Sequence, residues 1–308
     1  SSDANRIAVV GGVHANIPAA SCLRATGRVE APALLVAHAL QGFGGRAQHR
    51  CDLAMGVEIG EALLHEVFPG AVVRSTDLRY VPEKGRIVSA AVTRYRDLVL
   101  RYAEGVEADP EALSACLAEG LAGEARALIE THDGARALLQ RWAWLRNTRP
   151  DADLPEPDAD LLRAVLRDLC QGRRSRAEVA AADPVPLLEG RLTWEQRRRL
   201  DDWAPERWEL PTGNRVRLDY SGPRPVLAVR LQELFGQRET PRLAGSTVPV
   251  LLHLLAPNQR PQQITDDLAG FWERTYATVR KDLRARYPKH SWPDDPLTAP
   301  PQCKGRRG

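Results

Sequence analysis

The chain has 308 residues, with 43 Lys and Arg against 40 Asp and Glu and a net charge of +3. That length supports two or three domains with cores of their own, and the near balance of charge excludes a surface given over entirely to nucleic acid. No apolar run approaches the ~20 residues that cross a bilayer, and residues 1–30 lack the charged start and long apolar centre of a signal peptide, so the expected location is the cytoplasm.

By thirds the charge runs +1 over residues 1–108, −2 over 109–200 and +4 over 201–308, so any binding of a polyanion must use a local patch. Only four of the bases are lysine (Lys84, Lys281, Lys289, Lys304), a bias that fits genome base composition ahead of selection for forked phosphate contacts. The five cysteines, Cys22, Cys51, Cys116, Cys170 and Cys303, are scattered without a Cys-x-x-Cys pair and read as free, mostly buried thiols. Met55 is the single methionine and the chain does not start with one, as expected of a segment of a longer protein.

The first 108 residues read as β-rich. Arg6 to Val10 ends at the turn glycines Gly11 and Gly12, and Ala33 to Leu40 is a short apolar strand broken by Gly42 through Gly45. Gln48 to Met55 is a further strand, and Glu58 to Phe68 a helix stopped by Pro69 and Gly70. Ala71 to Val81 and Arg86 to Tyr102 flank the turn 82–85 as a long hairpin. Periodicity alone leaves a barrel or a sandwich open here.

Asp109, Pro110 and Glu111 open a helical stretch, with an acid as cap and proline at the first helical position. It comprises helices from Pro110 to Glu130, Ala135 to Arg146 and Leu161 to Leu169, with a proline- and acid-rich linker at 147–158. Ser175 with Glu178 and Thr193 with Gln196 have capping-box spacing. Trp142, Trp144 and Leu145 are expected to pack this connector onto its neighbours.

The last part reads as α+β. Arg207 to Pro211 and Arg215 to Tyr220 form a hairpin around Thr212 to Asn214, with Val216, Leu218 and Tyr220 on one face. Val226 to Phe235 is expected as a short helix closed by Gly236, and Val248 to Leu255 as a buried strand. From Thr265 onward Leu268, Trp272, Tyr276, Val279 and Leu283 recur at steps of four and three, one apolar stripe of a helix that Pro288 ends. Residues 299–308 read as a disordered basic tail.

Catalytic patterns are missing. A phosphate cradle ends in Lys-Ser/Thr, yet no lysine follows Gly42 to Gly45 and no helix follows Gly11 and Gly12. His65 and Glu66 lack the second histidine of a zinc helix, and the pairs Asp201/Asp202, Asp266/Asp267 and Asp294/Asp295 sit where capping explains them. What remains is the mixture of bases and aromatics from which single-strand grooves are built. One set is Arg74, Arg79, Tyr80, Arg94 and Arg96 on the hairpin, flanked by Lys84, Arg86 and Tyr95. The other is Arg280, Lys281, Arg284, Lys289 and Trp292 with His290. The plain alternative makes these arginines a solvated face and Trp292 a plug in a core groove.

Long, ordered words rich in Trp and Pro carry a more specific signal. They are Leu192 to Gln196, Leu200 to Arg207, Val216 to Ser221, Pro225 to Gly236, Glu239 to Leu243, Trp272, and Tyr287 to Pro296. This stretch, dense from Leu192 to Pro296 and diffuse before it, resembles the C-terminal region of the HrpB family of bacterial DEAH-type ATP-dependent helicases. The resemblance implies a multidomain α+β chain: an OB-like barrel over 1–108, a helical connector over 109–202 and a C-terminal α+β domain over 203–298. It further implies that ATP and Mg²⁺ belong to motor domains whose motifs have no counterpart here. The partners implied are RNA or single-stranded nucleic acid and the motor itself, with no membrane. The competing expectation is a protein-interaction module that never touches nucleic acid.

Overall fold

The computed structural model describes residues 6–11, 13–18, 34–43 and 50–302. Gly12, Gly44, Gly45, Cys22, Cys303 and the basic residues of the tail lie outside them. The chain divides into two compact units, one of residues 1–120 with 172–175, the other of 121–171 with 176–308. Residues 121–171 and 176–202 of the expected helical connector share the second unit with the C-terminal α+β part, whereas 109–120 and 172–175 fall in the first.

In the first unit, β1 (Arg6–Val9), β2 (Val13–Asn16), β3 (Leu35–Phe43) and β4 (Arg50–Glu58) form a sheet in the order β1-β2-β4-β3. Helix α1 (Glu61–Val67) follows, and then the meander β5 (Val72–Val81), β6 (Arg86–Tyr95), β7 (Leu98–Glu104). The two sheets are not joined by strand pairing among the described residues, so the expected OB-like barrel is not closed there. The strand expected to stop at Gly42 runs on to Phe43, because Gly42 pairs with Cys51 in the ladder. The hairpin's expected second strand is two strands. Arg96 takes a left-handed φ of 53° and turns the chain back at Asp97.

Helix α2 (Pro110–Leu121) starts as expected, with Asp109 accepting a hydrogen bond from the Ala112 amide. It does not continue to Glu130. A 3-10 turn over Ala122–Glu124 separates it from α3 (Ala125–Glu130).

The second unit continues with α4 (Asp133–Thr148), α5 (Ala159–Cys170), α6 (Arg176–Ala180), α7 (Val185–Glu189) and α8 (Trp194–Trp203). Thr193 and Gln196 complete the capping box that starts α8. Helix α4 buries Trp142, Trp144 and Leu145. The Trp142 indole donates to the Pro155 carbonyl, which pins the proline-rich linker, and the Trp144 ring lies 5.2 Å from that of Tyr220. Those contacts bind the helical and α+β parts into one core.

The α+β part holds the hairpin β8 (Arg207–Glu209), β9 (Arg215–Arg217) and a sheet of β10 (Val226–Arg230), β13 (Leu251–Leu255) and β14 (Pro261–Thr265). Between them β11 (Arg242–Leu243) pairs with β12 (Val248–Pro249), so the strand expected over Val248 to Leu255 is broken at Val250. The helix expected from Val226 to Phe235 is instead β10 followed by a 3-10 turn, Leu231–Leu234. A short apolar run satisfies either period, and parallel pairing with β13, twenty-five residues on, decides for the strand.

Helix α9 runs over Leu268–Gly270, Phe271–Thr275 and Tyr276–Arg286, the middle segment in π geometry. Leu268, Trp272, Tyr276 and Leu283 of its stripe are buried. Trp272 and Tyr276 pack on Phe235. The chain then folds back. The Gly236 amide donates to the Pro296 carbonyl and the Gln302 amide to that of Gln232, so order extends past residue 298, where disorder was expected.

Candidate nucleic-acid interface

Cross-strand pairing sorts the meander's side chains onto two faces. Val73 pairs with Arg94, Asp77 with Ala90, Arg79 with Val88, and Val92 with Tyr102. Arg79, Asp77, Arg94 and Tyr102 therefore share one face, around an open hollow of about 580 Å³ lined by Asp77, Arg79 and Tyr102 among others. Arg74, Tyr80 and Tyr95 lie on the other face, which is packed within the same unit. Phe68 stacks at 5.7 Å on Tyr95, Arg101 reaches Glu61 at 2.7 Å, and Tyr80 lies against Gly120 of α2. The five hairpin residues singled out in the sequence are thus not one site.

On the open face the charges are partly spent. Arg94 donates to Ser75 Oγ and Asp77 Oδ1, each at 3.0 Å, and its second nitrogen meets Asp77 Oδ2. The hydrogen bonds from Arg94 hold the Asp77 carboxyl below its ordinary range, and Asp77 in turn raises Arg94. Arg79 has no ion pair among the described residues, so it is the cation this face leaves available. Tyr102 is 54% exposed, and its hydroxyl donates to Glu104 at 3.1 Å. Desolvation first and Glu104 second raise its pKa, so it stays a neutral ring at physiological pH. Arg96 sits at the turn with its guanidinium 5.7 Å from the Tyr95 ring centre.

The sequence missed Tyr102. A bulge between Thr93 and Arg94 shifts the register by one residue and brings that ring to the Arg94 face. Counting alternation along the sequence could not find it.

The C-terminal cluster divides differently. Trp292 is only 8% exposed and its indole donates to the Tyr287 carbonyl, so it offers no stacking face and plugs the core. Arg280 donates to the Trp292 carbonyl at 3.0 Å and pairs with Asp294, which makes it a strut for the folded-back segment. Lys281, Arg284 and Lys289 are exposed and carry no ion pair among the described residues. Arg286, in the last helical turn, joins them. It lies about 200° round the helix from Arg284, so the stripe spacing does not point to it. Cations at that end also complement the helix dipole.

Among the described residues no group of three or more His, Cys, Asp or Glu is arranged to hold a metal ion. No helix is long and apolar enough to cross a membrane.

The α+β core of the second unit is closed by helix α9, which buries Trp272 and Tyr276 against Phe235. Residues 165–296 match the HrpB family model described as "ATP-dependent helicase C-terminal". The chain is 31% identical over 263 residues to the ATP-dependent RNA helicase HrpB of Escherichia coli K12, covering 84% of this chain and 32% of that protein. In structure it matches the E. coli DExH-box NTPase HrpB at 28% identity and a TM-score of 0.61, over 97% of this chain and 36% of the other. A second crystal structure, of the E. coli DEAH/RHA helicase HrpB, matches at 27% and 0.55, over 95% and 36%. The chain is therefore similar, over nearly all its length, to the C-terminal region of HrpB-like helicases. It spans about a third of the length of those relatives.

Proposed function

We propose that this chain is the accessory C-terminal region of an HrpB-like ATP-dependent helicase of the bacterial cytoplasm. It guides single-stranded nucleic acid, RNA foremost, and braces motor domains that bind ATP and Mg²⁺. The observation that carries the guiding role is the set of unneutralised cations Lys281, Arg284, Arg286 and Lys289 at one helix end. Arg79 beside Tyr102 adds the base-plus-ring chemistry of a single-strand contact on the meander. The similarity to a named RNA helicase supports RNA over DNA. Fluorescence anisotropy with a labelled single-stranded oligonucleotide tests the reading. Binding should weaken steeply between about 50 and 200 mM salt, and no binding at tens of micromolar at low salt would defeat it.

A second reading, a protein-interaction module without nucleic-acid binding, is favoured by Trp194. This ring is 71% exposed at the start of α8, with the Arg198 guanidinium 5.5 Å from its centre. Exposed Trp and Arg are the residues that anchor protein interfaces.

A further inference from the structure

Of the aromatic side chains that α9 and the segment after it carry, Phe271, Trp272, Tyr276 and Trp292 are buried and Tyr287 is half-buried, while His290 alone is exposed. The turn that presents it is fixed at one atom. The Tyr287 carbonyl accepts both the His290 amide, at 3.1 Å, and the Trp292 indole, at 2.9 Å. The Tyr287 amide donates to the Leu283 carbonyl at 2.7 Å, which ties the turn to the end of α9. The Tyr287 and His290 rings then meet edge to face, their centres 6.1 Å apart and their planes at 84°. Whichever ring gives its edge, at least one face of the imidazole is left clear of Tyr287. His290 makes no side-chain hydrogen bond or ion pair among the described residues, and it belongs to no group there that could hold a metal ion. Lys289 beside it, and Arg284 one helical turn before Tyr287, are exposed and unpaired. Asp294, the acid that follows Trp292 and Pro293, is taken up by Arg280.

We propose that His290 stacks on an unpaired nucleobase of the strand whose phosphates Lys281, Arg284 and Lys289 hold, an inference that rests on the nucleic-acid reading above and names its base contact. Single-strand sites join cations to a ring on which a base lies, and histidine is one of the side chains that serve. Trp292, the ring expected in that role, is instead a positioning residue, since its indole shares the Tyr287 carbonyl with the His290 amide. A ring already held in place gives up little freedom when it binds. The competing role for an imidazole among cations is one more phosphate contact, and a strand without bases separates the two.

Fluorescence anisotropy with the 308-residue chain compares labelled oligouridylate with an abasic ribose–phosphate strand of equal length. His290→Ala should weaken oligouridylate binding about fivefold and leave the abasic strand within about twofold of wild type. His290→Phe, which keeps a ring against Tyr287, should bind oligouridylate at least as tightly as wild type. Both variants should melt with wild type. An alanine variant that loses affinity for both strands alike overturns the stacking, because the imidazole would then act as a charge or as a prop for the turn. An alanine variant that binds both strands as wild type does overturns it as well, and so does a phenylalanine variant as weak as alanine. In each of those cases the cations still hold the strand and the nucleic-acid reading stands. A wild-type chain that binds neither strand at tens of micromolar and low salt would fell that reading itself.

Discussion

Arg94 is clasped by Asp77 across the β5–β6 ladder, so the most central base of the meander's open face is neutralised before any ligand arrives. Replacing Asp77 by Asn should release that charge. Oligonucleotide affinity should rise several-fold, with a salt dependence steeper by about one counterion. Arg79→Ala should lower affinity while Arg94→Ala changes it little. Anisotropy titrations at three salt concentrations check all three variants, and an Asp77→Asn protein that binds no better would show that the face is not used.

Exposed and buried members of the C-terminal cluster should part company. Lys281→Ala/Arg284→Ala/Lys289→Ala should weaken oligonucleotide binding about tenfold with an unchanged thermal midpoint. Trp292→Ala should instead cost about 3–5 kcal/mol of stability, the usual range for emptying a buried tryptophan site. Urea denaturation of each variant reads the difference.

Gly120 faces Tyr80 so closely that a β-carbon there would come within 2.5 Å of Tyr80 Cβ and Cγ. That part of Tyr80 is tied to its strand backbone and cannot swing aside. Gly120→Ala should therefore destabilise the protein by about 1–3 kcal/mol through overpacking, and Gly120→Val by more. An alanine variant that melts with wild type would mean that α2 can slide at no cost.

Burial lifts the Tyr276 hydroxyl to about 12, and that group donates to the Pro293 carbonyl at 2.9 Å. Burial likewise pushes Tyr220 well above its ordinary value. A pKa raised in the folded state means that the neutral form is favoured there. Its stabilising share is complete below pH 10, the unfolded value, and is lost as pH rises from 10 through 12. For Tyr276 alone the loss is of order 2–3 kcal/mol. Chemical denaturation between pH 8 and 12 should show this decline, and Tyr276→Phe should flatten it. A wild-type profile flat to pH 12 would refute the assignment.

Sequence by itself determined the elements whose signals are local. The capping box at Thr193 and Gln196, the turn at 82–85 and the stripe of α9 depend on spacings of a few residues, which chain chemistry enforces directly. Long Trp- and Pro-rich words between Leu192 and Pro296 likewise carry the similarity to HrpB-like helicases, since they are read as letters and need no coordinates. Tertiary structure alone decided whatever depends on partners distant in the chain. Val226 to Arg230 became a strand because β13 offered it a ladder, and Tyr102 joined Arg94 because a bulge re-aimed it. Trp292 went inward because Tyr287, Tyr276 and Arg280 close around its segment, and Asp77 reached Arg94 from the neighbouring strand. A sequence states which side chains could bind. Which remain free to do so is settled by pairing energies that a linear reading does not contain.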